Sequence, residues 1–159
     1  MSKMTSRERV LRAVNFQDVD RVPIDLGAMK ASTITAKAYN QLKAALGMHT
    51  PTRIWDPKFM IASAEEEVLR RFHADVVPLD VTSVLQDAAP DSQWVPSALY
   101  PGAEGLLPPG TRIGMDAEGR WILLDAGGAP TSFRMPRGGF YFDDISFDKP
   151  GATIDTPEN

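Results

Sequence analysis

The stretch that decides the reading is Asn15–Gly27, NFQDVDRVPIDLG. Polar and acidic residues give way abruptly to Val22-Pro23-Ile24-Asp25-Leu26-Gly27. A charged turn that feeds an apolar segment predicts a helix end followed by a buried strand. Pro23 sits near the start of that strand, where a missing N–H is tolerated. The carboxylate and glycine at its far end lie where α/β proteins assemble sites, at the carboxyl ends of parallel strands.

Upstream, residues 5–16 read as a helix. Thr5 and Glu8 have capping-box spacing. Val10, Leu11 and Val14 fall on one face. Downstream, residues 33–46 read as a second helix, capped by Ser32 or Thr33 and stopped by Gly47. Its apolar face is Ile34, Ala38, Leu42, Ala45 and Leu46. A third helix is expected from Asp56-Pro57 to about Phe72, with Asp56 as its cap and Val68, Leu69 and Phe72 buried. Glu66–Arg70 and Glu67–Arg71 have the spacing of supporting ion pairs. ADVVPLDV, residues 74–81, reads as a second strand buried on both faces. Strand–helix–helix–strand order points to a parallel crossover.

The remainder changes character. Residues 88–110 form a proline-rich loop, and TRIGMDAEGRWILLD, residues 111–125, is a β-hairpin turning at Asp116–Gly119. APTSFRMPRGGFYFD, residues 129–143, supplies a third extended strand and a turn. Its glycine pairs read as turns, and FYFD brings aromatics beside charge, which reads first as a surface turn with one buried ring and otherwise as a pocket wall or a partner contact. The scattered methionines read as core filler.

The whole chain bounds the class. Its 159 residues suit about one domain. An apolar fraction of 43% and a charged fraction of 24% are those of a globular chain, not a disordered one. A net charge of −4, with the signs mixed, argues against a nucleic-acid partner. No apolar run approaches the roughly 18 residues of a membrane span, so a cytoplasmic location is the default expectation. With no cysteine there is neither a disulfide nor a thiolate metal site. His49 and His73 are the only histidines and lack metal-ligand spacing, so they read as structural. Asp25 and Asp80 each end a predicted strand. Each is either a site carboxylate or a cap for the segment that follows. Two inner strands are too few for a parallel sheet, and an eight-unit barrel needs about 250 residues. The expectation is a single partial domain over 1–159, with helices and an incomplete α/β part over 1–87 and a ribbon over 108–143.

Several segments together carry a resemblance. MTSRERVLRAVNFQDVDRVPIDLG, STITAKAYNQLKAALG, PTRIWDP, EEEVLRRFHADVVPLD and MPRGGFYFDDI occur in this order over most of residues 5–147. The set resembles the N-terminal part of the uroporphyrinogen decarboxylase superfamily, closest to its methyltransferase-like branch. The resemblance implies an α/β fold: the N-terminal part of a TIM (β/α)8 barrel, with outer N-terminal helices and an inserted antiparallel β-ribbon. It implies substrate-binding roles for Asp25, Gly27 and Lys30 and a catalytic role for Asp80. Decarboxylases of this group grip their substrate with an arginine-rich RQAGRY-type segment after the first strand. Here that place reads GAMKASTI, with Lys30 alone. One lysine does not replace two forked guanidiniums for a polyacidic tetrapyrrole.

The methyltransferase-like branch holds zinc through His and Cys ligands of later strands and takes its methyl group from a corrinoid protein. A chain without cysteine supplies no such ligand set, so no metal site is expected within it. The resemblance thus implies the front portion of a longer methyltransferase, inactive alone. Its partners would be a small-molecule or corrinoid-protein substrate, and either a second copy or a C-terminal half. The alternatives are a decarboxylase-type lyase with altered substrate contacts and a non-enzymatic pairing module for a separately encoded half.

Overall fold

A computed structural model describes residues 3–79 and 90–148 of the chain. Within them, helices α1 (Ser6–Val14), α2 (Ala36–Ala45) and α3 (Glu66–Arg71) accompany short antiparallel sheets. The fold is mixed α/β, and no sheet closes into a barrel among the described residues.

The capping box forms as the sequence predicts. The Glu8 N–H donates to the Thr5 hydroxyl at 3.2 Å, and the Glu8 carboxylate accepts from the Thr5 N–H at 2.9 Å. The face of α1 does not follow the prediction. Leu11 and Val14 are exposed, and the buried residue is Arg9. A guanidinium with several fixed acceptors holds this helix down in place of an apolar stripe.

Helix α2 begins later than predicted, at Ala36, because Lys30–Ser32 takes a tight 3₁₀ turn and Thr35 becomes the cap. Its buried positions are Ala36, Tyr39 and Lys43. That face is rotated from the predicted one and leaves Ala45 exposed. Leu42, Leu46 and Ile34 still pack beside Tyr39, Ala62 and Val68 in one small core.

The predicted third helix is corrected over its first half. Strands β1 (Ile54–Asp56) and β2 (Ile61–Ala62) form a hairpin there, and only α3 is helical. Met60 has a φ of 51°, which breaks a helix started at Asp56. Buried Ile54, Trp55, Ile61 and Ala62 give the hairpin its reason to form. In α3, Val68 is buried and Phe72 exposed, and Glu66 pairs with Arg70 at 2.6 Å.

Both predicted parallel strands are also corrected as elements. Residues 22–25 and 74–79 have no strand structure. They touch where the Asp75 N–H donates to the Ile24 carbonyl at 2.8 Å. The Ile24 N–H turns to the Asp75 carboxylate instead of a backbone carbonyl, so a ladder does not propagate. Val22, Val77 and Leu79 are exposed where burial on both faces was expected. All paired strands in the described residues are antiparallel, apart from an isolated parallel bridge between Arg53 and Leu106.

The C-terminal ribbon is as the sequence predicts. Strands β5 (Arg112–Met115) and β6 (Trp121–Leu124) pair in full register, with Gly119 at a φ of 73° in the turn. Asp116 closes that turn by accepting from the Glu118 and Arg120 N–H groups. β7 (Pro130–Arg134) and β8 (Asp143–Asp144) extend the sheet. The proline-rich segment is not wholly loop. β3 (Val95–Ser97) and β4 (Gly105–Leu107) pair within it. The Leu106 N–H bonds the Thr52 carbonyl at 2.8 Å, and the Asn40 amide donates to the Gly102 and Glu104 carbonyls. Those bonds draw the ribbon onto α2 and β1. The larger core lies between them, from Ala36, Ile54, Met60, Ala103, Leu107, Met135 and Phe142. Met60 and Met135 fill it as expected, whereas Met29 and Met115 are exposed.

Gly105 sits at the tightest point of this join. A Cβ there would stand 2.6 Å from the Thr52 carbonyl oxygen, which is backbone and cannot swing away. Gly105→Ala is expected to cost about 1–3 kcal/mol of stability in urea unfolding. Gly114→Ala, which meets only the Leu124 and Ile122 side chains, serves as the milder comparison.

Candidate functional site

The loop 25–32 follows directly from the contact between Ile24 and Asp75. Its local chemistry is that of a turn. The Asp25 carboxylate accepts from the Ala28 N–H at 2.8 Å and is exposed. That bond is the loop N–H contact which a capping carboxylate makes. Gly27 has a φ of 94°, and its N–H closes the loop on the Ser32 carbonyl at 3.1 Å. Only glycine takes that conformation without strain. It is also buried, and an added Cβ would touch Thr33 and Ala64.

Lys30 lies at the base of the same loop. Its ammonium is 2.6 Å from Asp56 Oδ2, while its side chain stays half exposed. Asp56 is not a helix cap, as the sequence reading had it. The cap-like bonds are nevertheless present: Oδ1 accepts from the N–H groups of Lys58 at 2.8 Å and Phe59 at 3.4 Å. Those bonds brace the β1–β2 turn, and the second oxygen is left for Lys30. The structure therefore brings Lys30 to Asp56 and sets Gly27 at the bend. Asp80 lies outside the described residues.

Sequence reasoning missed the residues that anchor the loop from behind. Arg9 donates from Nε to Asp20 Oδ1 at 2.6 Å and from Nη2 to Asp20 Oδ2 at 2.9 Å. Its Nη1 bonds Asp75 Oδ1. Arg21 reaches the same carboxylate at 2.7 and 3.0 Å and the His73 carbonyl at 3.0 Å. The Asp75 side chain is fully buried. His73 has a φ of 54° in the turn after α3. It contributes its backbone carbonyl to Arg21. His49 is exposed. The signal in the sequence was the alternation of charge across RERV, DRVP and HAD, which periodicity counts pass over.

This cluster is electrostatically one-sided for its carboxylates. Burial opposes ionisation of Asp75, but bonds from the Ile24 N–H, Arg21, Ser6 and Arg9 outweigh it and bring the group down to about 2. Asp20 is held well below the ordinary carboxylate range by Arg9 and by the Met4 N–H. Neither is a proton donor at neutral pH. A second ion pair joins the buried Lys43 to the partly exposed Glu65, with the Thr50 carbonyl also accepting from Lys43. Burial pushes the neighbouring Tyr39 phenol up to about 12, and its oxygen accepts from the Glu65 N–H. These contacts hold α2 against the segment that leads into α3.

Among the described residues, no group of three or more His, Asp or Glu side chains is placed to hold a metal ion. The chain has no cysteine to add. The donor set present therefore does not fit a zinc with His and Cys ligands. No described helix is long and apolar enough to cross a membrane. No protein-family model, curated protein or solved structure matches this chain.

The Asp75 cluster has a defined pH signature. Its folded value of about 2 lies below the ordinary 3.8, so its contribution is complete above about pH 5. It fades as pH falls through 4 towards 2. Asp75→Asn is expected to lower the urea midpoint clearly at pH 7 and much less at pH 2.5. A gap between the two proteins that stays constant over that range contradicts the assignment.

Proposed function

We propose that this chain is the N-terminal portion of an enzyme of the uroporphyrinogen decarboxylase superfamily, from its methyltransferase-like branch, whose complete fold is a (β/α)8 barrel. The observation that carries the reading is the meeting of its separate motifs. Arg9 of RERV, Asp20 and Arg21 of DRVP, and Asp75 of HADVV join in one ionic cluster. Motifs far apart in sequence that share buried charge partners suit a common ancestral scaffold better than chance likeness.

In this reading the chain furnishes one wall of a substrate cleft. Gly27 bends the loop, Asp25 fixes its turn, and Lys30 stands at its rim with Asp56. Asp80 carries the catalytic role that the resemblance implies. The zinc of the branch does not fit the donors present, so the chain's role is to position substrate. A corrinoid protein would be a partner of the complete enzyme.

The decarboxylase-type reading is weaker because Lys30 is already paired with Asp56. A polyacidic substrate would have to displace that carboxylate. The pairing-module reading has one observation in its favour. Val22, Val77 and Leu79 are exposed on the two segments expected to be inner strands. A separately encoded half would cover them as well as a continuous chain would.

The deciding experiment compares the 159-residue protein with a version extended through its downstream reading frame. Methyl transfer from methylcobalamin to a thiol is expected only from the extended protein. A downstream frame with neither a His-x-Cys segment nor further strands would remove the methyltransferase reading. Zinc should leave the melting temperature of the short protein unchanged, since binding to the native state alone would raise it.

A further inference from the structure

The sequence FYF at residues 140–142 is split by the fold. Phe142 is fully buried, and its N–H is fixed to the Lys58 carbonyl at 2.8 Å. The core takes that ring and holds the other two out. Phe140 and Tyr141 are each 51% exposed, a large apolar area for a segment anchored so firmly. They do not stand alone. Tyr100 meets Phe140 edge to face, with centroids 5.4 Å apart. Across from them stand Thr35, the cap of α2, and Lys37 and Gln41 of that helix, and together these side chains line a cleft of about 390 Å³. That volume lies in the range of small-molecule sites.

Lys37 gives the cleft its polarity. Its ammonium lies 5.0 Å from the Phe140 centroid, and its stem packs along Gly102. Among the described residues Lys37 makes no ion pair with a carboxylate. A cation with no carboxylate partner among the described residues, at the edge of an aromatic-walled cleft, matches a ligand with one flat apolar face and one negative charge.

We infer that the cleft between α2 and the end of the ribbon binds a planar aromatic carboxylate, its ring against Phe140 and Tyr141 and its carboxylate on Lys37. Ring stacking supplies contact area, and the ammonium supplies selection for the acid. The bond to the ammonium is charge-assisted and partly shielded by the rings, so it is worth more than a free surface pair. The site is independent of the loop 25–32 and of the superfamily reading. Its failure and the failure of that reading are therefore separate outcomes.

Isothermal titration with 2-naphthoate, and with 2-naphthalenemethanol as its uncharged counterpart, tests the assignment. The acid is expected to bind with a Kd between about 10 μM and 1 mM and to lose affinity between low and high salt. The alcohol should bind about tenfold more weakly and without salt dependence. Lys37→Met retains the stem on Gly102 and should bring the acid down to the alcohol's affinity. Phe140→Leu should weaken both ligands. Lys37→Gln gives a second variant should the methionine disturb folding. Equal affinities for acid and alcohol, no binding of the acid up to about 5 mM, or unchanged acid binding in both folded Lys37 variants would each overturn the inference.

Discussion

The N-terminal half of the described chain depends on one carboxylate. Asp75 is buried, yet it is ionised, because Arg9, Arg21 and the Ile24 N–H all donate to it. An unpaired charge at that depth would be prohibitive, and an unpaired guanidinium beside it equally so. Each partner therefore requires the others. Arg9 brings α1, Arg21 and Ile24 bring the segment before the loop, and Asp75 brings the chain after α3. Elements with little apolar surface in common are tied through charge. That accounts for a helix whose Leu11 and Val14 face solvent while Arg9 is buried.

The other half is held by ordinary means. Phe142, Met135, Leu107 and Ile54 share a core, and backbone bonds through Thr52 and Asn40 register the ribbon on α2 and β1. The two systems meet at loop 25–32. One end of that loop is set by the ionic cluster and its base by the Lys30–Asp56 pair. Its geometry thus reports on both halves at once.

The legible parts of the sequence were those governed by local rules. The Thr5–Glu8 box, the Asp116–Gly119 hairpin and the left-handed Gly119 follow from residues within a few positions of each other. Where local chemistry has two continuations, the sequence was ambiguous. Asp56-Pro57 has the bonds of a helix cap, but the same bonds also brace a tight turn. The burial of Ile54 and Ile61 across the hairpin selected the turn. The predicted inner strands failed as elements for a related reason. Their apolar content asks for neighbours on both faces, and among the described residues they meet at a single point. At Gly27 the φ of 94° is a backbone constraint that the sequence reading did not name. The Lys30–Asp56 and Arg9–Asp75 pairs span 26 and 66 residues, beyond the reach of any periodicity.

The most direct measurement is amide hydrogen exchange on the native protein and on Arg9→Met. If the buried carboxylate organises this half, the Ile24 and Asp75 amides should lose most of their protection in the variant. The β5–β7 amides should exchange as before. Undiminished protection at Ile24 and Asp75 would contradict the account, since the tie would then be held without the charge that is said to make it.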